Sequence, residues 1–440
     1  MTVTVIGAGP TGLFTAIALA RRGRRVIVID RDPGPLPGIP WRRRGVMQFA
    51  HAHTFRGPVV DLLDDRIPDA MALLRRAGAT TVTDDDGAAI ALRCRREVFE
   101  RALWDVARRE PGLTLVTGHV DRVLREGGRA VGVAVDGTAV AADLVVDASG
   151  RTGRISRQLG IAGEAVPCGA VYVTRQYRLP DAMTGPVNAP VGLSLSLHGY
   201  FAVAFLHDAG TFSVTITHDG TDSRLLQLRH PAVFEAAARA IPLLADWVER
   251  GEPLTPVLPG GKLHNTYRSQ LGRDGRPVVP GLLAVGDSVC TTTPLAGRGV
   301  TLAFRQAHTM VNLLDRHPGD AEAVAGEYDV WSRAQLYPWF LDHVRCDEDR
   351  LRRWAGGAVD MGRSLPSDLV VAAAAADVSL RAEVAAYDRM QALPATLDRL
   401  QQRAQDVYAS GWRPPTAAGP TRAELAELCV QWATGQPVPV

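Results

Sequence analysis

Thr2-Val-Thr-Val-Ile6, followed at once by Gly7-Ala-Gly-Pro-Thr-Gly12, is a short β-branched apolar run delivered into a glycine-rich turn. Leu13 to Arg22 continues as an Ala- and Leu-rich helix stopped by Gly23, and Arg25-Val-Ile-Val-Ile29 is a second strand ending on Asp30. Strand, glycine turn, helix, strand and acid make the dinucleotide-binding βαβ unit, and each part has a mechanical reason. Gly7 permits the tight turn, Gly9 lets the backbone approach a pyrophosphate, and Gly12 lets the helix pack on the strand. The helix start, at Pro10 and Thr11, presents free N–H groups to phosphates. Asp30, about twenty residues along, is placed to accept from ribose hydroxyls, and an acid there disfavours a 2′-phosphate.

A chain of 440 residues suits two or three structural units at roughly 150 residues each. With 46% hydrophobic and 22% charged residues the composition is that of an ordinary globular protein, and a net charge of +2 gives no sign of a nucleic-acid partner. Lys262 is the only lysine, which removes lysine chemistry almost everywhere. Cys94, Cys168, Cys290, Cys346 and Cys429 are scattered and never spaced C-x-x-C, so neither a disulfide framework nor a zinc site is expected. No signal peptide is visible and no apolar stretch reaches the roughly 20 residues of a membrane span, so a cytoplasmic protein is expected.

Outward from the first unit, a Pro/Gly-rich loop leads to Arg42-Arg43-Arg44-Gly45, three arginines suited to phosphates or a carboxylate. Helices are expected over 55–64, 68–77 and 96–108, and a hairpin over 80–94 turned by Asp84-Asp85-Asp86-Gly87. Residues 114–141 read as a small antiparallel meander, and Leu144-Val-Val-Asp147 as a buried strand ending on Asp147-Ala-Ser-Gly150-Arg151. Between Cys168 and His218 the pattern alternates as an antiparallel sheet packed on one side does. Leu282–Gly286 returns to a buried strand with Asp287 at its end. From Asp320 onward the chain reads as helical, with a capping box at Thr421–Glu424 opening the last helix.

Three separated segments thus share one design, an apolar strand delivering a small-residue turn with an acid: Gly7–Gly12 with Asp30, Asp147–Gly150, and Gly286-Asp287. A nicotinamide enzyme needs only the first, whereas three converging turns suit a longer nucleotide such as FAD. Asp287 is then placed for the ribityl chain. The turn Pro294-Leu-Ala-Gly297-Arg-Gly299-Val300, opening a helix, offers N–H groups to the electron-rich edge of reduced flavin.

These motifs together resemble the FAD-dependent monooxygenases of the para-hydroxybenzoate-hydroxylase type, over residues 1 to about 315. The resemblance implies an α/β (α+β) architecture. A Rossmann-like FAD-binding domain (1–80, 95–165 and 270–315) carries an antiparallel-sheet substrate domain (80–95 and 166–269) and a helical C-terminal region (316–440). It places Arg96 near the FAD pyrophosphate and Arg44 in the loop after the second strand; Arg31, Gln48 and Val120 complete the candidate cofactor-binding set. A narrower similarity, over Arg43–Gln48 with His51-x-His53 and over Tyr172–Arg178, is to the actinobacterial group of polyether epoxidases and styrene-monooxygenase-like enzymes.

The activity implied is oxygen transfer through a flavin C4a-hydroperoxide formed from reduced FAD and O2, hydroxylating or epoxidising a mid-sized, largely apolar molecule, plausibly in specialised, antibiotic-type metabolism. NAD(P)H is the implied electron donor, directly or through a separate flavin reductase, and the protein is expected as a monomer or homodimer. No dedicated catalytic side chain is assigned. Candidate pocket residues are His51, His53, Arg175, Tyr177, Tyr200, Phe201, Phe205 and Pro294; His51-x-His53 lacks the further ligands of a metal site. The Trp-x-Trp-x-Ile-Pro run and the lysine of flavin halogenases are absent, which argues against halogenation. Two alternatives stay open: a flavin dehydrogenase or reductase on the same fold, and a non-catalytic flavin-binding partner.

Overall fold

A computed structural model of the protein describes residues 1–434 apart from 37, 44, 54 and 181–184. Strands Thr2–Ile6, Arg25–Asp30, Leu113–Thr117, Leu144–Asp147 and Leu282–Ala284 form one five-stranded sheet. Every pairing in it is parallel, with Val3 opposite Leu144 and Thr2 opposite Arg25. The Leu113–Thr117 strand, expected in the meander, instead pairs with Arg25–Asp30 and forms the sheet edge. Its short alternating run carries no mark that separates an edge strand of one sheet from the first strand of the next. The meander consists of Val120–Glu126, Arg129–Val135 and Thr138–Ala141.

Because the sheet is parallel, Ile6, Asp30, Asp147 and Ala284 all end at the same edge, so the three turns expected from the sequence converge there. One face of the sheet is covered by the helix Pro10–Ala20, packed against Arg96–Ala107 and Gly299–Arg316. Phe14 and Phe304 stack at 4.5 Å between ring centroids. The other face packs on the meander through Ile6, Ile29, Val145 and Val133.

A second, antiparallel sheet runs in the order Gly192–Leu197, Tyr200–Leu206, Thr211–His218, Val171–Arg178, with Glu252–Pro253 and Leu258–Gly260 along the last strand. Helices Pro231–Arg239 and Pro242–Val248 cover its back, and the last helix, Arg422–Thr434, adds Leu425, Ala426 and Cys429 to the same core. That helix opens on the expected capping box. The Thr421 N–H donates to Glu424 Oε2 (2.7 Å), and the Glu424 N–H donates to Thr421 Oγ1 (3.3 Å). The hairpin Thr80–Thr83 and Ala89–Arg93, grouped from sequence with this sheet, pairs instead with a short strand Phe55–Arg56. Phe55 and Leu92 join the first core, and the following helix starts at Gly57 rather than Phe55.

Helices Ala321–Gln335 and Tyr337–Trp354, and those that follow, build a third core around Trp339, Tyr387 and Tyr408. Ala284, Cys290 and Leu302 belong to that core too, so the C-terminal helices pack directly on the strand and helix that flank the third turn.

Candidate cofactor and substrate site

Three adjoining cavities of about 420, 170 and 140 Å³ run along the edge where the turns converge. The first two share Gly7, Asp30, Arg43 and Ser149; the second and third share Gln48, Arg96, Asp287, Gly299 and Val300. They therefore make one long trough with a chamber at its far end.

The turn at the near end is as tight as backbone allows. Gly7 has φ +104°, and a Cβ there would lie 2.5 Å from the Ala148 carbonyl oxygen. A Cβ on Gly12 would lie 1.9 Å from the Gly7 carbonyl oxygen. The helix beginning at Pro10 has no side-chain cap, so its first N–H groups are left for a ligand, and Gly9, Pro10 and Thr11 line the trough there.

Asp30 is buried and heavily engaged. Its Oδ2 accepts from the Ala8 N–H (2.6 Å) and from Arg43 Nη2 (2.5 Å), and its Oδ1 accepts from the Asp32 N–H (2.9 Å). Arg43 also donates to the Ala8 carbonyl (3.0 Å) and to the fully buried Glu100 (2.7 Å), whose other oxygen accepts from Arg96 Nε (2.5 Å). Arg43 thus meets carboxylates, one of the two roles expected of the arginine run.

At the far end, Asp287 faces both the trough and the chamber. Burial raises its pKa against the pull of Arg96 and Arg151. The helix Gly299–Arg316 has no side-chain cap either, and Gly297, Gly299 and Val300 line the chamber. The chamber's remaining wall is one face of the antiparallel sheet: Tyr172, Thr174, Phe201, Val203, Phe205, Thr215 and Thr217. His51, His53, Pro294 and Leu295 close it.

Residues 2–163 match the family described as FAD dependent oxidoreductase. Protein FixC of Escherichia coli (strain K12) is 26% identical over 322 residues, 68% of this chain and 71% of the relative. The 6-methylpretetramide 4-monooxygenase of Streptomyces rimosus is 25% identical over 332 residues, 69% of this chain and 73% of the relative. Over residues 2–163 the chain is thus similar to the FAD-dependent oxidoreductases. The solved structure of the flavin-dependent brominase Bmp2 superposes with a TM-score of 0.64 at 16% identity, covering 94% of this chain and all of that one. At that identity the likeness concerns the fold, which this chain shares with flavin-dependent monooxygenases and halogenases.

The trough fits FAD on its own terms. Two uncapped helix starts point into it, one beside the tight Gly7 turn for a pyrophosphate and one at the chamber for an electron-rich ring edge. Gly150, at φ +78°, and Gly299 have nothing within 4 Å of where a Cβ would stand, so the backbone is open to a ligand at both points.

Other residues expected at the cofactor divide into two groups. Arg31 and Val120 line the near cavity, Gly150 the middle one, and Arg96 and Gln48 both the middle cavity and the chamber. Gly12, Asp147 and Gly286 do not reach the trough, because they build its turns. Asp147 accepts from the Ser149 N–H (3.0 Å) and the Ser288 hydroxyl (3.2 Å), tying the second turn to the third. Gly286, at φ +72°, sits against the Thr11 side chain. Arg44 lies outside the described residues.

The pocket candidates also divide. His51, His53, Phe201, Phe205 and Pro294 line the chamber, whereas Arg175, Tyr177 and Tyr200 lie on the opposite face of the sheet. Arg175 Nη1 and the Tyr177 hydroxyl both donate to Glu235 Oε1 (2.8 and 2.7 Å) on the covering helix, and the Tyr200 hydroxyl donates to the Pro420 carbonyl (2.8 Å). Successive side chains on a strand point to opposite faces, so if Tyr172 and Thr174 face the chamber, Arg175 and Tyr177 cannot. Thr174, Thr215 and Thr217 were missed, since threonines on a strand carry no chemical signature.

Burial keeps both of the chamber's histidines neutral. His53 Nδ1 stands 2.9 Å from the His51 carbonyl and Nε2 3.3 Å from Arg96 Nη1. A carbonyl only accepts and a guanidinium only donates, so Nδ1 carries the proton and Nε2 accepts. Burial, reinforced by Arg96, holds its pKa well below the usual value. His51 Nδ1 is 2.9 Å from Thr174 Oγ1, itself 2.8 Å from Thr215 Oγ1, and burial lowers its pKa to about 4. The buried hydroxyls of Tyr172, Thr217 and Thr292 have no partner among the described residues. No group of three metal-ligating side chains occurs among them either, nor any helix long and apolar enough to cross a membrane.

Proposed function

We propose that the protein is an FAD-dependent monooxygenase that hydroxylates or epoxidises a mid-sized, largely apolar molecule, with O2 as co-substrate. Electrons come from NAD(P)H, directly or through a separate flavin reductase. The observation that carries this reading is the chamber, which opens onto the flavin end of the trough; away from Gln48, Arg96 and Asp287, which it shares with the trough, its wall is apolar apart from neutral hydroxyls and imidazoles. Bound in the trough, FAD supplies activated oxygen for transfer to an electron-rich carbon.

The chain's own residues do the rest. Phe201, Val203, Phe205 and Leu295 exclude water and bind the apolar body of the substrate. The unpartnered Tyr172 and Thr217 hydroxyls receive its polar group, which orients the reacting carbon. Neutral His51 and His53 bring no charge to the chamber, so neither serves as a proton donor of carboxylic-acid strength. The similarity to a Streptomyces monooxygenase supports a role in specialised metabolism.

A second reading, a flavin dehydrogenase or reductase without oxygen transfer, is favoured by a short similarity, 38% identity over 60 residues, to the D-amino acid dehydrogenase 2 of Ralstonia nicotianae. Anaerobic mixing of the purified flavoprotein with NADPH and with NADH, following the flavin's visible absorbance, reports the electron source. Admitting isotopically labelled O2 with a panel of polycyclic phenols and olefins then decides between the readings. One labelled oxygen atom per product molecule is expected. Substrate oxidised with no label incorporated would overturn the monooxygenase reading in favour of the dehydrogenase.

A further inference from the structure

The turn Thr293–Arg298, which opens the Gly299–Arg316 helix at the chamber, has no side-chain cap of its own and passes through a left-handed glycine at Gly297 (φ +63°). Left to itself such a turn is soft. It is instead held at three points by polar side chains that lead to the C-terminal helices.

At its start, the Thr293 N–H donates to Asn265 Oδ1 (2.6 Å), and Asn265 Nδ2 donates to Asp347 (2.7 Å) on the helix Tyr337–Trp354. In its middle, the Ala296 carbonyl accepts from Arg56 Nη2 (2.7 Å), and Arg56 Nη1 donates to the carboxylate (3.2 Å) and carbonyl (3.0 Å) of Asp388 at the end of the helix Arg381–Asp388. At its end stands Arg298, only 6% exposed. Its guanidinium lies 4.4 Å from the Tyr387 ring centroid and 4.7 Å from that of Trp339, and donates to Asp342 (3.2 Å). Asp342 is fixed in turn by the hydroxyls of Tyr387 (2.6 Å) and Ser367.

We propose that the C-terminal helices are the outer half of the flavin site, and that Asp342, acting through Arg298, is a positioning residue for the flavin-facing turn. The proposal rests on the reading that this turn meets the flavin ring edge. A buried arginine set against two rings that stack on each other, 5.3 Å between centroids, and closed by a carboxylate is a rigid, charge-balanced unit. It fixes where the first N–H groups of the Gly299 helix point, and its charge lies one residue before that helix, at the end where negative charge is most stable.

The two members of the pair pull the flavin in opposite directions. Asp342→Asn leaves an uncompensated positive charge beside the helix start, which favours the negative charge of reduced flavin. Arg298→Met leaves an uncompensated negative charge there, which opposes it.

The test is the midpoint potential of the bound flavin, measured by dye-equilibrated reduction, together with the FAD dissociation constant from flavin fluorescence. Asp342→Asn is expected to raise the potential and Arg298→Met to lower it. Arg298→Lys, which keeps the charge without the stacked fork, is expected to weaken FAD binding several-fold with a smaller shift of potential. Loosening of the turn alone would move both charge variants the same way, and that result, or no shift in either, overturns the proposal. If neither charge variant folds, Arg298→Lys and Tyr387→Phe decide, and FAD binding unchanged in both overturns it.

Gly299→Val, whose side chain would project into open trough, separates this from failure of the underlying reading. If Gly299→Val alters neither affinity nor potential, the turn does not meet the flavin. If it alters them while Asp342→Asn does not, only the role of Asp342 fails.

Discussion

A single hydrogen replaced by a methyl group tests the tightest point of the nucleotide turn. At Gly12 the added Cβ would stand 1.9 Å from the Gly7 carbonyl oxygen and 3.4 Å from the Ala148 Cβ, with no flexible side chain to yield. Gly12→Ala is therefore expected to cost roughly 2 kcal/mol or more in stability, as overpacking does, and to yield protein without bound flavin. Flavin content per chain and the unfolding midpoint check both parts, and a fully loaded variant would show that the turn relaxes at no cost. At the neighbouring carboxylates the expectation concerns charge. Arg43 is the shared partner of buried Asp30 and Glu100, so Arg43→Met leaves Asp30 without its cation and Glu100 with Arg96 alone. A loss on the order of 3–5 kcal/mol is expected, read as a lowered midpoint in urea unfolding. Arg42→Met, on an exposed side chain one residue away, should leave the midpoint in place.

The four long strands of the antiparallel sheet make the element-scale prediction, because their two faces do different work. Tyr177→Phe removes a hydroxyl that donates to Glu235, which keeps Arg175 as a partner. It is expected to lower stability by about 1 kcal/mol and to leave steady-state turnover unchanged. Thr215→Val, on the chamber face, breaks the hydroxyl chain to Thr174 and His51, and is expected to raise KM or lower kcat several-fold with a small stability change. Equal kinetic effects of the two substitutions would refute the assignment of faces. The same sheet shows where sequence reading stops. The strands were legible from alternation, but which parity faces the chamber was not, because Val171–Arg178 is buried on both sides and both faces carry aromatic or polar residues. The first βαβ unit had no such ambiguity, since its strand, glycine turn, helix, second strand and acid follow one another within thirty residues. The tethers from Arg298 to Asp342 and from Arg56 to Asp388 join residues far apart in sequence and leave no local pattern, so neither is legible in the sequence of the helical tail.

For the whole molecule, the buried histidines set the response to acid. His51, His207 and His218 each have their pKa lowered to about 4, burial being the leading cause in all three. They belong to one sheet, His207 and His218 at its opposite ends and His51 against its chamber face. In the unfolded chain they titrate near 6.5, so between pH 6.5 and 4 the unfolded state binds protons that the folded state refuses. Stability is thus fully present above pH 6.5 and falls as pH drops towards 4, by about 1.4 kcal/mol per pH unit for each histidine. Asp147 and Asp287 act in the opposite sense, because burial raises their pKa values and the folded state then takes up protons first. Their contribution starts from the carboxylate range upward, so the histidines govern the first part of the descent below 6.5. His53 and His343, which burial also holds well below the usual value, add to these three, so urea unfolding followed at pH 7, 6 and 5 is expected to show an uptake of more than three protons on unfolding at pH 5. Replacing His207, whose Nε2 lies 2.7 Å from the Ser213 hydroxyl, by Gln should reduce that uptake by one and flatten the profile without touching the chamber. A profile equally steep in His207→Gln, or flat in the parent protein, would mean that these imidazoles are solvated or paired in the folded state.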